Sequence, residues 1–334
     1  MSKFDLQLFA APYQGSNVQK TSQQSMSVTQ KTFYDTALLE NARSAMVYDQ
    51  FGKKTKIKGG KAEWRKYNTF AKALTPLIEG AIPDGSNFGM TKIEAEVSQY
   101  GDYTTISDRL ELESYDPIVY GATEEMGAAA GETYDTLTRN SLLTGTNVFY
   151  VPSRPGDGTT VTVSARADIV ATCLLTPADV RKVATIMEKN KVPKLNGYYV
   201  WIIHPSVAHD LTAHPDYIDY HKHCDVQPIF KGEIGELFGV RFIKDTNAKI
   251  FKDSSQGAIA TYANIVVGKD AYGIVEPEGE GTEMIIKDRE KAGGPLNQFS
   301  TIGYKFCHAA KILYSERLLR VECASSFSSE DSAN

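Results

Sequence analysis

The sequence predicts an α+β fold, and three features carry that prediction. Stretches with helical periodicity alternate with short β-branched and aromatic runs along the chain. One stretch, about residues 116–145, is long enough to be a rod in its own right. Residues 61 to about 108 have the pattern of an extended two-stranded arm, going out through Trp64-Arg65-Lys66-Tyr67 and returning through Gln99-Tyr100-Gly101-Asp102-Tyr103. A ribbon of two strands is marginal in water and has to lie on another surface. The nearby sequence offers no obvious surface within the chain, so neighbouring copies are expected to hold the arm.

Taken in order, residues 12–32 are rich in Gln, Ser and Thr and should form a mobile or partner-ordered arm, because they cannot bury enough apolar area to offset their ordering entropy. Residues 33–51 are expected to be helical, with Phe33, Ala37, Leu38, Ala45 and Met46 at helical spacing. The next segment is basic: Lys53, Lys54, Lys56, Lys58, Lys61, Arg65, Lys66 and Lys72 face only Glu63. From 94 to 135 the balance reverses, and acidic residues outnumber Lys92 and Arg109. One reading is two solvated faces of opposite sign. The other is complementarity between the arm of one copy and the acidic surface of the next. On that second reading the arm contributes Lys53, Lys54, Lys61, Arg65, Lys66, Tyr67, Phe70, Leu74 and Leu77. The acidic partner surface is Glu94, Glu96, Asp102, Asp108, Glu111, Glu113, Glu124, Glu125, Glu132 and Asp135.

The long helix has Asp116 as a cap, Pro117 at its first position and Gly145 just past its end. Its roughly 28 residues give about 42 Å at 1.5 Å per residue. The small residues Gly127-Ala128-Ala129-Ala130-Gly131 at its centre allow another backbone close, and the helix is expected to pack on a sheet of about residues 97–112 and 300–323. Pro155-Gly156-Asp157-Gly158 marks a turn. A second helix over 175–191 opens with Thr176 and Asp179 as a capping box. A buried strand at 197–204 leads into a short helix from Pro205, and strands follow at 240–243, 259–267 and 283–286. Residues 300–321 alternate as a long strand pair, and 325–334 should fray.

The composition limits the function. The net charge of −5 argues against a dedicated nucleic-acid binder. The 18 tyrosines suit half-apolar, half-wet interfaces. Cys173, Cys224, Cys307 and Cys323 form no Cys-x-x-Cys pair, and the apolar start at 4–11 is too short for export or insertion. A soluble protein made in a reducing cytoplasm, with no membrane partner, is expected. Five of six histidines lie between His204 and His223, but their spacing matches neither a zinc finger nor His-Glu-x-x-His. No phosphate loop and no Gly-x-Ser-x-Gly elbow occur. No catalytic residue, metal or cofactor is expected. The competing reading is a metal-dependent cytoplasmic enzyme using that histidine cluster.

The ordered segments Thr75-Pro76-Leu77, Pro83-Asp84-Gly85, Ala130-Gly131-Glu132-Thr133-Tyr134-Asp135, Leu143-Thr144-Gly145-Thr146-Asn147, Gly268-Lys269-Asp270-Ala271-Tyr272-Gly273 and Ala309-Ala310-Lys311-Ile312-Leu313 carry a resemblance over nearly the whole chain. The chain resembles the major capsid proteins of tailed bacteriophages with the Hong Kong ninety-seven fold, and within them the branch typified by coliphage N four. The resemblance implies an N-terminal arm and helix (1–52), an extended loop (53–100), a peripheral domain (101–149 and 296–334) with a spine helix, and an axial domain (150–295). It implies hexamers and pentamers tiling an icosahedral shell around double-stranded DNA. The net charge of −5 adds the expectation that this DNA is touched only weakly and without sequence preference. A separate scaffolding protein, a portal protein and room for a decoration protein are also implied, with assembly in the bacterial host cytoplasm. A minor virion structural protein is the nearest alternative.

Overall fold

The computed structural model describes residues 46–334 except 68–69, 71, 73, 75, 77–79, 81–84, 86, 114–117, 157, 219–234, 253–258, 279–280, 290 and 293–295. After a 3₁₀ turn at Tyr48–Gln50 come β1 (Lys53–Ile57), β2 (Lys61–Tyr67), β3 (Met90–Glu96) and β4 (Ser98–Ser107). Helices α1 (Asp108–Glu113) and α2 (Ile118–Leu143) follow, then β5 (Val148–Tyr150), α3 (Pro177–Lys189), β6 (Tyr199–Ile203) and α4 (Pro205–Ala213). The remaining strands are β7 (Gly235–Leu237), β8 (Val240–Lys244), β9 (Ile250–Phe251), β10 (Thr261–Val267), β11 (Tyr272–Pro277), β12 (Glu283–Lys287), β13 (Phe299–Ile312) and β14 (Leu318–Cys323).

Strand β13 organises the first sheet. Residues 299–308 pair with β4, 301–305 with β12 and 309–312 with β11, and β1 adds in parallel to β11. Helix α2 lies across this sheet. Val119, Ala122, Met126, Ala130, Tyr134 and Leu137 recur every three or four residues and meet Ile106, Met284, Ile302, Tyr304 and Phe306. The stripe uses small residues where the helix crosses the strands, and Gly127 and Gly131 beside it are buried too. The expected single helix is continuous, about 39 Å long for its 26 residues. Asp116 and Pro117 lie outside the described residues. At the other end the Arg320 guanidinium donates to the carbonyl of Leu143 and, at 3.4 Å, to that of Gly145. It places a cation on the carbonyls that a helix leaves unpaired. Gly145 is needed for space rather than for a left-handed stop, since an added Cβ would stand 2.9 Å from Leu318 Cδ2.

The second sheet runs β5-β14-β10-β6-β8-β7, with β9 on β10. Its α3 and α4 side buries Trp201, Phe242, Val183, Met187 and Leu211. The capping box of α3 forms, with the Thr176 hydroxyl donating to Asp179 at 2.7 Å, and Arg154 holds the same carboxylate at 2.6 Å. The two sheets close on each other through Tyr48, Leu142, Val200, Ile202, Ile265, Tyr272, Ile274 and Leu318.

Four expectations change. Of the helix expected over 33–51, residues 33–45 lie outside the described set, and Tyr48–Gln50 is a 3₁₀ turn. Strands β13 and β14 do not pair with each other; they enter different sheets, because a period of two is the same whatever the partner strand. The tail does not fray: the Tyr262 hydroxyl donates to Asp331 at 2.6 Å, and the Asn334 side chain accepts from the Ile250 N–H at 3.0 Å. Finally, sheet membership crosses the boundaries expected at 149–150 and 295–296. Strands β11 and β12 join the first sheet, while β14 joins the second.

Candidate intersubunit surface

The arm is β2 paired with β3, in register from Lys61↔Glu96 to Tyr67↔Met90. Strand alternation turns Ala62 and Trp64 to one face with Ala95, and they bury against Val275, Ala309 and Leu313. The Trp64 indole N–H donates to Thr55 Oγ1 at 3.0 Å. Its ring lies so close to Gly273 that an added Cβ would stand 2.8 Å from ring carbons. The root of the arm therefore rests on the chain's own first sheet, contrary to the expectation that the chain offers no surface for it. The missing signal was β11, a strand 200 residues away whose glycine makes room for the indole.

Among the described residues the far end of the arm has no such support. Tyr67 and Phe70 both stack on Phe88, with centroids 5.0 and 5.7 Å apart. Tyr67, Phe70, Phe88 and Met90 are each at least half exposed, and Leu74 is 84% exposed. Leu77 lies outside the described residues. Phe88 and Met90 were not singled out from sequence; the signal available was the place of Met90 opposite Tyr67 at the start of the returning strand, with Phe88 just before it.

Much of the basic run is matched within the chain. Lys61 pairs with Glu96 at 2.7 Å, Lys92 with Glu94 at 2.6 Å and with Glu63, and Lys66 with Glu316 at 3.4 Å. The hydrogen bond and charge of Lys61 hold the Glu96 carboxyl below its usual range. Lys54 belongs to the sheet strand β1 and pairs with Asp49 at 2.5 Å and Glu276 at 3.2 Å. Glu94 and Glu96 thus sit on the arm itself, beside its own lysines, because cross-strand neighbours on one face face each other. Lys53 and Arg65 are exposed and have no ion-pair partner among the described residues.

The acidic residues divide. Asp102, Glu113, Glu124, Glu125 and Glu132 are exposed, and Asp108 is half-buried. Glu113 is held by Arg109 at 2.7 Å. Glu111 belongs to α1, and its side chain lies outside the described set. Asp135 is a correction. It is completely buried and accepts the N–H groups of Val47 and Tyr48 at 2.9 and 2.8 Å, so it forms no part of an accessible surface. Charge alone does not reveal which side of a helix a carboxylate takes.

The described histidines have local partners. His204 Nδ1 accepts from the Ser206 N–H at the start of α4, His209 packs on Phe327, and His214 Nδ1 accepts from the Asp216 N–H. No group of three His, Cys, Asp or Glu among the described residues is placed to hold a metal. His221, His223 and Cys224 lie outside them. No helix among the described residues is long and apolar enough to cross a membrane.

Residues 91–305 match the family model for phage capsid protein, a stretch that spans α2 and most of both sheets. The chain belongs to the phage capsid protein family. Among solved structures, this capsid protein is similar to the capsid of the cyanophage P-SCSP1u, with a TM-score of 0.63 at 15% identity over 84% of this chain and 89% of that one. It is similar to the capsid of Ralstonia phage GP4, with a TM-score of 0.62 at 13% identity over 99% and 100% of the two chains. The capsid of the Helicobacter pylori bacteriophage KHP30 gives 0.61 at 9% identity over 97% and 99%. No curated protein sequence matches the chain. The capsid protein is a structural component of the virion, a major capsid protein of a tailed phage with the Hong Kong ninety-seven type of α+β fold.

Proposed function

We propose that the chain forms hexamers and pentamers of an icosahedral shell, and that the distal half of the arm is the part each copy lays on its neighbour. The observation that carries this reading is the contrast along β2 and β3: a buried root at Ala62 and Trp64, and an exposed aromatic end at Tyr67, Phe70, Phe88 and Met90. Monomers rarely keep so much contiguous apolar surface in water, and a neighbouring copy would bury it. The acidic outer face of α2, with Glu124, Glu125 and Glu132, together with Asp102, Asp108 and Glu113, is the proposed seat. Lys53 and Arg65 supply unmatched positive charge to it.

The extended loop is proposed as 61–96, with β1 returned to the body. The first sheet with α2 would be the peripheral domain, and the second sheet with α3 and α4 the axial one. A separate scaffolding protein, a portal protein, a decoration protein and assembly in the host cytoplasm belong to the same proposal. So does weak, nonspecific contact with packaged DNA, since a net charge of −5 does not favour gripping it. The narrower likeness to the coliphage N four branch rests on the sequence segments alone.

Electron microscopy of the expressed chain, with and without a candidate scaffold, tests the reading. Closed shells are expected. Replacing Phe70, Leu74 and Phe88 together by Ser should leave a folded subunit that builds no shells, and normal shells from that variant would overturn the arm's role.

A further inference from the structure

The interior holds a cluster that the intersubunit surface does not use. Tyr48, Asp135, Arg139 and Asp245 meet where the 3₁₀ turn, α2 and the loop after β8 come together, none more than 6% exposed. Asp135 Oδ1 accepts the two N–H groups of the turn, and Asp245 Oδ1 accepts the Asn247 N–H at 2.9 Å. The Oδ2 atoms of both carboxyls and the Tyr48 hydroxyl are buried without a hydrogen bond of ordinary geometry, the Tyr48 hydroxyl lying toward Asp245 and the Asn247 side chain toward Asp135. Arg139 does not neutralise the pair by contact. It donates to Asn247 Oδ1 at 2.9 Å, to the Asn247 carbonyl and to Asn140 Oδ1. Two carboxyls therefore share the interior with one guanidinium that is hydrogen-bonded elsewhere. An ionised carboxylate with an unmatched oxygen is costly in such a place, and a carboxylic acid is not.

We propose that Asp135 and Asp245 hold one proton between them in the folded chain, and that this proton latches the turn at Tyr48 and helix α2 onto the second sheet. Among the described residues the charged and titratable groups facing the pair are Tyr48 from the turn, Arg139 from α2 and Tyr272 from β11, with Asp49 acting on Tyr272. Asp49 is matched by Lys54, and the Tyr272 hydroxyl donates to the Tyr48 carbonyl. Burial pushes Asp135 up to about 7 and moves Asp245 in the same direction, against the Asn247 N–H, the Tyr48 hydroxyl and, last, the charge of Arg139 on Asp245. The latch rests on no part of the shell reading, because all its groups are inside one chain.

The sign follows from proton counts. Between the ordinary Asp value of about 4 and the folded value of about 7, the folded chain binds more protons than the unfolded one. The latch is complete at the acid end of that window, and its stabilisation is lost as pH rises through it. His308, on the sheet side of α2, acts in the opposite sense, since burial lowers it to about 4.

A difference between variants separates the two. Asp135→Asn keeps the oxygen that accepts from the turn and puts an N–H donor where the protonated oxygen stood. Thermal unfolding of the full-length chain is followed from about pH 5 to about pH 9. The melting temperature of Asp135→Asn minus that of the parent should climb by several degrees across the range, with or without His308→Gln in both. A gap independent of pH would overturn the latch. If the variant does not fold, the infrared spectrum of the parent decides. Near neutral pH, where ordinary carboxylates are ionised, it should contain a carboxylic-acid band that disappears at higher pH; its absence would equally overturn the proposal.

Discussion

Trp64 is the residue on which the arm's attachment turns. Its ring fills the space over Gly273 and its N–H is satisfied by Thr55, so truncation leaves both a cavity and a detached hairpin root. Trp64→Ala is expected to cost about 3–5 kcal/mol in denaturant unfolding and to open the arm to limited proteolysis. Gly273→Ala should produce the same early cleavage by pushing the indole away. The double variant should lose less than the sum, because the new methyl occupies part of the space the indole leaves. His308 is the second informative residue. Its ring sits 4.2 Å from that of Tyr134 and 3.2 Å from the Thr138 hydroxyl, and burial keeps it neutral. The unfolded chain takes up this proton at a higher pH than the folded one, so stability falls with pH from about 6.5 to about 4. Substituting His308→Gln should flatten that acid limb in melts at a series of pH values, and an unchanged slope would show that other groups dominate it.

Helix α2 has two small residues side by side with different roles. Ala130 is buried against the first sheet, while Ala129 faces outward. Ala130→Leu should destabilise the single chain by about 1–3 kcal/mol through overpacking. Ala129→Leu should leave its unfolding within about 0.5 kcal/mol of the parent, yet reduce the yield of closed shells if a neighbouring chain approaches that face. Normal shells from Ala129→Leu would count against close packing there. The arm divides in the same way along its length, the proximal half being part of one molecule's core and the described side chains of the distal half being exposed, as the proposed contact between copies requires.

For the whole molecule, the charge argument becomes narrower than composition suggests. Lys61 and Lys66 already have partners within the chain, so reversing Lys61, Arg65 and Lys66 to Glu should weaken the arm's own pairing as well as any contact between copies. The triple variant should assemble slowly or into aberrant particles, more so at low salt, where screening is weak. Reversing Glu124, Glu125 and Glu132 should partly restore it if α2 is the seat. Counts of empty, filled and aberrant particles separate this from a role in DNA contact, which gives normal empty shells and a defect only in filling.

Local pattern was enough for α2, for the capping box at Thr176 and Asp179 and for the buried strand before Pro205, since each is written in periodicity and end signals within a few residues. It was not enough for the arm's return, because Gln99–Tyr103 pairs with β13 and the strand that comes back beside Trp64 is Met90–Glu96. At the arm's end the sequence singles out Tyr67 and Phe70, which are each at least half exposed, but not Phe88, on which both stack. Tertiary structure alone decided that β13 and β14 part company, that Trp64 finds Gly273, that the tail is tied to Tyr262 and that Asp135 turns inward. Each of these depends on a partner beyond the local sequence, such as Asp331 for Tyr262, 69 residues away, or on which side of a helix the core lies. Strand alternation and net charge are identical for every such choice, so only the packed chain could make it.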